Sequence, residues 1–164
     1  MIYFWKTSDK YGIFSQWYKS DFTDINDIKY NCAEQFMMYQ KAILFGDNDV
    51  ANEILNENDP KNIKALGRKI KNFNQQEWNE HKFEIVIAGN FYKFTQNTTL
   101  RDILLNTGNE DIAEASALDK IWGIGIDEKT AESGAEWQGE NLLGKALMVV
   151  RDMIGGNKNN YDKV

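Results

Sequence analysis

Apolar residues recur with the period of an α-helix along most of this chain. The period predicts helices over residues 32–45, 49–55, 60–70, 75–95, 99–105, 111–118 and 141–154. Residues 2–5, which are β-branched or aromatic, instead favour a short strand. The predicted fold class is therefore α+β, a single helix-rich domain with a small β component. We expect this domain to cover residues 1–154, followed by a polar tail at residues 155–164.

Local signals mark where some of these segments begin and end. Asp59 suits an N-cap, and Pro60, the only proline, falls at the first helical position. Asp49 is the expected cap of the preceding short helix. Residues 122–140 contain four glycines and show no helical period, so we expect a long loop there. Loops of this length are uncommon in compact domains and are often functional.

The predicted helix at residues 32–45 carries two charged residues that its apolar face does not explain. Glu34 and Lys41 are seven residues apart and project almost in line. At about 1.5 Å of rise per residue they lie roughly 10 Å apart, too far for an i,i+4 ion pair. Burial would make such groups useful for proton transfer and nucleophilic attack. The alternative, which periodicity alone favours, is that both side chains extend past the apolar face to solvent.

A third polar residue of this helix, Gln40, projects into the middle of the apolar face. A buried amide needs a hydrogen-bond partner there. We expect Gln40 to contact backbone or the loop that follows Asp119.

Composition excludes several classes of function. Cys32 is the only cysteine and His81 the only histidine, which argues against a disulfide, a zinc site and a Ser-His-Asp triad. The net charge of −6 argues against broad binding to a nucleic-acid backbone, although a nucleotide can still bind in a pocket. Aromatic residues make up 13% of the chain, enough to build stacking surfaces for flat ligands.

The apolar runs are short throughout the chain. None reaches the roughly 18 residues of a membrane span, and the N-terminal run is too short for a signal peptide. We therefore expect a soluble, cytoplasmic protein without a membrane partner. The oligomeric state is left open.

Three further stretches hold candidate binding residues, each with a structural alternative. Asp119 can point a carboxylate into a site and Trp122 can stack on a base, or they end a helix and fill the core. Asn141 and Gly144 begin the last helix, whose N-terminus can hold a phosphate, or they serve ordinary capping and close packing. Arg68 can grip a phosphate or a carboxylate, or lie on a solvated helix face beside lysines.

Seven short motifs follow one another over nearly the whole chain. They are FW at 4–5, YGIFS at 11–15, AEQFMMYQKA at 33–42, LGR at 66–68, KFTQN at 93–97, EASALDKIWGIGI at 114–126 and ENLLGKALMVVR at 140–151. Their joint order and spacing resemble the NADAR family, also called YbiA-like. The chain departs from the common pattern at residues 15–17, Ser-Gln-Trp instead of Ser-Asn-Phe, and at residues 31–33, where many relatives have Ser or Thr.

The resemblance implies hydrolysis of N-glycosidic bonds. Characterised relatives act on phosphorylated ribosylamino-pyrimidine intermediates of riboflavin synthesis, and others remove ADP-ribose from guanine bases. The implied substrate is therefore a phosphorylated riboside or an ADP-ribosyl compound, with ADP-ribosylated nucleic acid as a further partner. The alternative function is a non-catalytic module that binds ADP-ribose or a nucleotide.

The resemblance also implies roles for individual residues. Lys41 is expected to attack the anomeric carbon and form a Schiff base, Glu34 to transfer protons, and Asp119 to orient a hydroxyl or stabilise the cation. The implied substrate-binding residues are Trp5, Phe14, Ser15, Arg68, Trp122, Gly123, Asn141 and Gly144. This chemistry needs neither a metal nor a redox cofactor.

Overall fold

The computed structural model describes residues 1–156, so most of the predicted polar tail, residues 157–164, lies outside the described range. In chain order the elements are β1 (Ile2–Phe4), a 3₁₀ turn (Gly12–Phe14), β2 (Phe22–Thr23), β3 (Lys29–Tyr30), α1 (Ala33–Leu44), α2 (Asn48–Leu55), α3 (Pro60–Gly67), α4 (Gln75–Gln96), α5 (Thr98–Leu105), β4 (Ile112–Glu114), α6 (Glu128–Glu132) and α7 (Leu142–Gly155). The predicted α+β class, rich in helix with a small β component, is confirmed. Within residues 1–156 no helix is both long and apolar enough to cross a membrane.

Backbone packing divides the chain into two compact units. Unit 1 combines Met1–Tyr18 with the segment that starts at Thr98, of which residues 98–156 are described. Unit 2 is Lys19–Asn97. Unit 1 contains β1, β4 and α5 to α7, and unit 2 contains β2, β3 and α1 to α4.

Two short parallel strands, β1 and β4, lie at the centre of unit 1. Ile2 pairs with Ile112, and Phe4 pairs with Glu114. The helix predicted over residues 111–118 is therefore wrong. Ile112 is fully buried, and its backbone groups pair with a strand more than a hundred residues earlier in sequence, which a local apolar period does not reveal.

Helix α7 packs against β4 along the apolar stripe that the sequence predicts. Leu143, Leu147 and Val150 on this stripe are fully buried. A Cβ atom at position 144 would lie 2.1 Å from the carbonyl oxygen of Ile112. Gly144 therefore allows the helix backbone to approach the strand closely.

The sequence predicted a long loop over residues 122–140, but this segment contains a short helix, α6. Asp127 caps the five-residue helix α6 by accepting a 2.8 Å hydrogen bond from the Thr130 amide. Ala131 on this helix is buried and joins a small apolar cluster with Ala113 and Ile124. One helical turn with a single buried residue is too short to show a period, which explains the wrong prediction.

Helix α1 is the central element of unit 2, and α2, α3 and α4 all pack against it. Glycines allow two of these close contacts. A Cβ atom at Gly67 would lie 2.1 Å from the sulfur of Met38, and one at Gly89 would lie 2.6 Å from Cδ1 of Phe36. The backbones of α3 and α4 therefore approach α1 closely, and this packing fixes where the polar side chains of α1 point.

Capping residues explain where two of the unit 2 helices begin. Asp59 accepts a 2.9 Å hydrogen bond from the Lys61 amide, and α3 begins at Pro60 as predicted. Helix α2 is capped by Asp47, which accepts a hydrogen bond of 3.2 Å from the Val50 amide. The prediction of Asp49 as its cap is wrong. Asp47 also accepts a 2.8 Å hydrogen bond from the Lys71 amide, a contact distant in sequence.

Candidate active site

The residues predicted for the site divide between the two units. Glu34, Lys41 and Arg68 belong to unit 2, and the remaining ones belong to unit 1. Among residues 1–156, no group of three or more His, Cys, Asp and Glu side chains is placed to hold a metal ion.

Glu34 lies in the first turn of α1 and is only 7% exposed. The alternative that it extends to solvent is therefore wrong, and α2, α3 and α4 all pack against the helix that carries it. The first turn of a helix favours negative charge, since the helix dipole points its positive end there. Glu34 is thus a buried carboxyl group in the first turn of α1.

Lys41 is half-buried near the other end of α1. Its Nζ atom donates a hydrogen bond of 3.1 Å to the carbonyl oxygen of Gly67, at the end of α3. The same atom lies 4.7 Å from the ring centroid of Phe73 and 5.5 Å from that of Trp78. A carbonyl and two aromatic faces therefore hold the amine in place, and part of the side chain stays accessible.

Burial is the main cause that shifts the ionisation of Lys41. It lowers the pKa of the amine below its ordinary value, the Glu34 carboxylate opposes the shift, and the Arg68 guanidinium adds to it. The two charged residues of α1 therefore influence each other electrostatically although they are two turns apart. A lysine of lowered pKa is neutral more often at neutral pH, which is the form that attacks carbon.

Arg68 is exposed at the C-terminal end of α3. This exposure agrees with the structural alternative for Arg68, in which it lies on a solvated helix face. It also keeps the guanidinium free to meet an anion near Lys41, since the charge of Arg68 affects the pKa of Lys41.

Gln40 is half-buried, and its side chain lies within hydrogen-bonding reach of the Tyr30 hydroxyl. The partner is thus a phenol from β3 within unit 2. The expected contact of Gln40 with backbone or with the loop that follows Asp119 stays a prediction.

Lys93 is a buried ionisable residue that was not among the predicted site residues. Its side chain is 0% exposed, and burial lowers its pKa to about 7, with the nearby Cys32 thiol opposing the shift. The sequence does contain a pattern that could have identified Lys93 as buried. Lys93 lies seven residues after Val86 and four after Gly89, on the buried stripe of α4, where a lysine is unusual.

The rest of the KFTQN motif has a structural role. The Gln96 amide accepts a 2.9 Å hydrogen bond from the Thr23 amide and donates one of 2.7 Å to the Thr23 carbonyl. Asn97 donates to the carbonyl oxygens of Asp21 and Lys93, at 3.2 and 2.8 Å. These side chains join strand β2 to the end of α4.

In unit 1, Asp119 stabilises a turn. One carboxylate oxygen accepts hydrogen bonds from the amides of Ile121 and Trp122, at 2.9 and 2.8 Å. The element directly before Asp119 is the strand β4, so the alternative that Asp119 ends a helix is wrong. The side chain is half-buried, and its catalytic role stays a prediction.

Asn141 precedes α7 but does not cap it with its side chain. Its backbone has a φ of +54°, in the left-handed region. The side-chain amide donates to the Ile112 carbonyl at 2.9 Å and accepts from the Glu114 amide at 3.1 Å. The expected capping role is therefore wrong, because the side chain is used to join α7 to β4.

The first amides of α7 are already bonded within unit 1. The Leu142 amide donates to the carbonyl of Ile121 and the Leu143 amide to that of Trp122, both at 3.1 Å. Gly123 lies in the same turn, and a Cβ atom there would lie 2.9 Å from the Glu114 carbonyl oxygen. Because the amides of Leu142 and Leu143 are already bonded, fewer amides at the start of α7 remain to bind an anion. The geometry therefore favours close packing, and not a phosphate site, at Gly123, Asn141 and Gly144.

The aromatic residues expected to bind substrate differ in accessibility. Trp5 is 45% exposed directly after β1, and Trp122 is half-buried. Phe14 is fully buried and meets Phe4 edge-on at 5.8 Å between centroids. Ser15 is buried, and its hydroxyl accepts a hydrogen bond of 3.2 Å from the Trp17 amide. Trp5 and Trp122 can therefore stack on a ligand, whereas Phe14 is part of the core.

A surface cavity of about 500 Å³ lies elsewhere in unit 2. Residues of β2 and β3 line it together with Gln35, Leu55, Asn58 and Gln96. Neither Glu34 nor Lys41 lines this cavity. This cavity is therefore separate from the predicted catalytic residues of unit 2.

Comparison with known proteins gives one family. Residues 3–155 match the model of the NADAR domain. A protein named as an N-glycosidase from Acanthamoeba polyphaga mimivirus is 47% identical over 146 residues, which are 85% of this chain and 86% of that protein. A riboflavin biosynthesis protein of Vibrio vulnificus is 27% identical over 153 residues, which are 93% of this chain and 38% of that protein. The NMR structure of the E. coli protein YbiA matches with a TM-score of 0.78 and 26% identity, covering 98% of this chain and 88% of that one.

Proposed function

Because this chain belongs to the NADAR family, we propose that it is an N-glycosidase that hydrolyses the bond between ribose and base in a phosphorylated riboside. The family relationship confirms the resemblance that the seven motifs predicted. The observation that carries the proposal is the pair on α1, in which a buried Glu34 carboxylate and a half-buried Lys41 amine influence each other. Relatives named as N-glycosidases support the reaction type.

The pair supplies what cleavage of a C–N glycosidic bond requires. The neutral Lys41 amine attacks C1 of the ribose, and the C1–N bond breaks with its electron pair passing to the base. Glu34 takes the proton of the attacking amine and delivers it to the departing base. The ring oxygen then leaves C1 and receives the remaining proton of the Lys41 nitrogen, which leaves a neutral C=N bond between Lys41 and the opened sugar. Water adds to this carbon and releases lysine and the free sugar phosphate, so the net change is hydrolysis.

Among the described lysines whose pKa is lowered, Lys41 and Lys93, only Lys41 suits the covalent step. Lys41 is half-buried and reaches the surface of unit 2, whereas Lys93 is enclosed on all sides. The lowered pKa of Lys41 increases the neutral fraction of its amine. Arg68, exposed nearby, can bind the phosphate of the substrate, since a guanidinium pairs well with phosphate oxygens.

Two substrates fit this chemistry. The first is the phosphorylated ribosylamino-pyrimidine of riboflavin synthesis, which the name of the Vibrio relative supports. The second is ADP-ribose attached to guanine. The roles expected of Trp5, Asp119 and Trp122 stay predictions in both cases.

The test is product analysis after incubation with each candidate separately. Purified protein is mixed with the ribosylamino-pyrimidine phosphate or with ADP-ribosylated guanine DNA, and the products are separated by chromatography. We expect release of free base with one substrate and none from the matched Glu34→Gln protein. Release from one substrate alone identifies the branch of the family.

The competing function is a module that binds ADP-ribose or a nucleotide without cleaving it. Calorimetric binding of the same two ligands distinguishes the two functions. Tight binding with no base released on prolonged incubation contradicts the glycosidase proposal.

A further inference from the structure

The ring of Phe73 lies beside the amine of Lys41 and is open to solvent. The Nζ atom of Lys41 is 4.7 Å from the centroid of this ring. Phe73 is 42% exposed, whereas Trp78, the second ring near the same atom, is only 6% exposed. Trp78 therefore closes the inner side of the amine, and Phe73 lies on the side from which a ligand can approach.

Contacts on both sides hold Phe73 in this position. It belongs to the connection between α3 and α4, in which Asn72 has a φ of +60°, in the left-handed region. The Lys71 amide in the same connection donates a hydrogen bond of 2.8 Å to Asp47. The rings of Phe45 and Phe73 meet at 68°, with 5.3 Å between their centroids. The Phe73 ring is therefore fixed next to Lys41 although much of its surface remains in water.

The proposed reaction develops positive charge next to this ring. Attack on a ribose requires C1 to come within about 3–3.5 Å of the Lys41 Nζ atom. Charge builds on the nitrogen as it attacks and on C1 as the bond to the base breaks, because transition states of glycoside cleavage resemble an oxocarbenium ion. An aromatic face attracts a cation within about 6 Å of its centroid, and more strongly where water is excluded. The Phe73 face therefore lies where this charge forms.

We propose that Phe73 is a further catalytic residue of the glycosidase reaction, whose ring face stabilises the positive charge that forms on the attacking nitrogen and on C1. This inference rests on the proposed function, because it concerns the same attack by Lys41. A neutral ring suits this task, since it attracts the transient cation without taking a proton or attacking C1 itself. A carboxylate in the same place would hold Lys41 more strongly as an ammonium and so slow the attack.

The kinetic test changes the electronic character of the ring and keeps its shape. Phenylalanines with increasing numbers of ring fluorines are incorporated at position 73 alone, because fluorine withdraws negative charge from the ring face. We expect kcat to fall steadily along this series, by about tenfold in total, with little change in KM. Phe73→Leu should show the same loss, and Phe73→Tyr should retain activity. The same fluorinated series at Phe91, half-buried and about 20 Å along α4 from Trp78, is the matched control.

The pH profile separates this role from an effect on ionisation. In the free protein the ring also favours the ammonium form of Lys41, on which the charges of Glu34 and Arg68 act as well. Phe73→Leu should therefore move the plateau of the rate to lower pH, which by itself makes more neutral amine and speeds attack. A lower rate on the plateau is opposite in sign to this effect. A ring needed only for folding would leave the plateau at the wild-type pH.

A binding measurement does not depend on turnover. A five-membered cyclic amine that carries the hydroxyl and phosphate groups of the sugar phosphate is cationic at neutral pH, and it resembles the charged transition state. The matching cyclic ether is uncharged in its ring and cannot react with Lys41. Calorimetry should show that Phe73→Leu binds the amine about tenfold more weakly than wild type and binds the ether almost equally well. Phe91→Leu should bind both compounds like wild type.

The two proposals fail in different ways. Absence of base release from wild type, with either candidate substrate, contradicts the proposed function. In an active wild type, a kcat that fluorination at position 73 does not change overturns the role of Phe73. Equal losses of affinity for the amine and the ether, or an effect on KM alone, assign Phe73 a stacking or structural role and also overturn the inference.

Discussion

The Nζ atom of Lys41 donates a hydrogen bond of 3.1 Å to the carbonyl oxygen of Gly67. This contact joins the C-terminal half of α1 to the end of α3. The faces of Phe73 and Trp78 lie close to the same atom and favour its cationic form, whereas burial favours the neutral amine. These contacts hold the Lys41 amine in place. Because opposing effects act on its protonation, the charge of a bound substrate can change its ionisation state.

The first prediction concerns a covalent adduct at Lys41. Reduction with borohydride during turnover should trap the C=N bond and add the mass of the sugar phosphate to the wild-type chain. The adduct should be absent from Lys41→Ala. Lys64→Ala, which changes an exposed lysine on α3, is the matched control and should be trapped like wild type. Full activity in Lys41→Ala would rule out the covalent route.

The second prediction is the pH dependence of that trapping. Attack requires the neutral amine, so the rate should rise with pH and level off below the ordinary pKa of lysine, because burial lowers the pKa of Lys41. The Arg68 charge contributes to this lowering, so Arg68→Met should move the plateau to higher pH. Arg101→Met, which changes an arginine of unit 1, provides the control. A plateau in Arg68→Met at the same pH as wild type would contradict the electrostatic link.

The third prediction tests Glu34 as the group that transfers protons. Glu34→Gln keeps the size of the side chain and should lower kcat by a factor of about 10² to 10⁴, the usual contribution of general acid–base catalysis. Circular dichroism should show an unchanged fold. Glu53→Gln, an exposed change on α2, is the control. Wild-type turnover by Glu34→Gln would remove Glu34 from the mechanism.

The fourth prediction concerns the contact between α7 and β4. A Cβ atom at position 144 would lie 2.1 Å from the Ile112 carbonyl oxygen, which belongs to the backbone and does not move easily. Gly144→Ala should therefore lower the free energy of unfolding by about 1–3 kcal/mol, as overpacking usually does. Gly155→Ala lies in the same helix and meets only Leu105 at 3.6 Å, so it should be nearly neutral. Equal midpoints of denaturant unfolding for the two variants would show that the contact relaxes freely.

The fifth prediction links Lys93 to stability. Its pKa is about 7 in the folded protein and near its ordinary value of 10.5 in the unfolded chain, so the unfolded chain binds more protons between these limits. The free energy of unfolding should therefore rise with pH from about 7 to 8.5, by at most about 1.4 kcal/mol per unit from this group. At higher pH the raised pKa of Cys32 acts in the opposite direction.

The variant Lys93→Met tests this link directly. It should lose most of the rise in stability between pH 7 and 8.5, because the titrating group is gone. Lys64→Met should keep the rise. Identical pH profiles for wild type and Lys93→Met, measured by urea unfolding, would show that Lys93 does not titrate in this range.

Sequence alone determined those features that depend on neighbours within a few residues. Asp59 and Pro60 start α3 because capping acts over one turn, and the stripe through Leu143, Leu147 and Val150 buries one face of α7 because helical spacing repeats locally. The motif AEQFMMYQKA likewise predicted Glu34 and Lys41 as site residues, although periodicity alone favoured a solvent-exposed position for both.

Only the tertiary structure decided what depends on partners distant in sequence. Residues 112–114 form a strand because β1 offers a free edge, and Asn141 bonds to β4 because α7 packs there. Glu34 is buried and the pKa of Lys93 is low because the elements packed around α1 remove water from both groups. The cost of burying a charge arises from the whole surrounding fold, and no short stretch of sequence contains it.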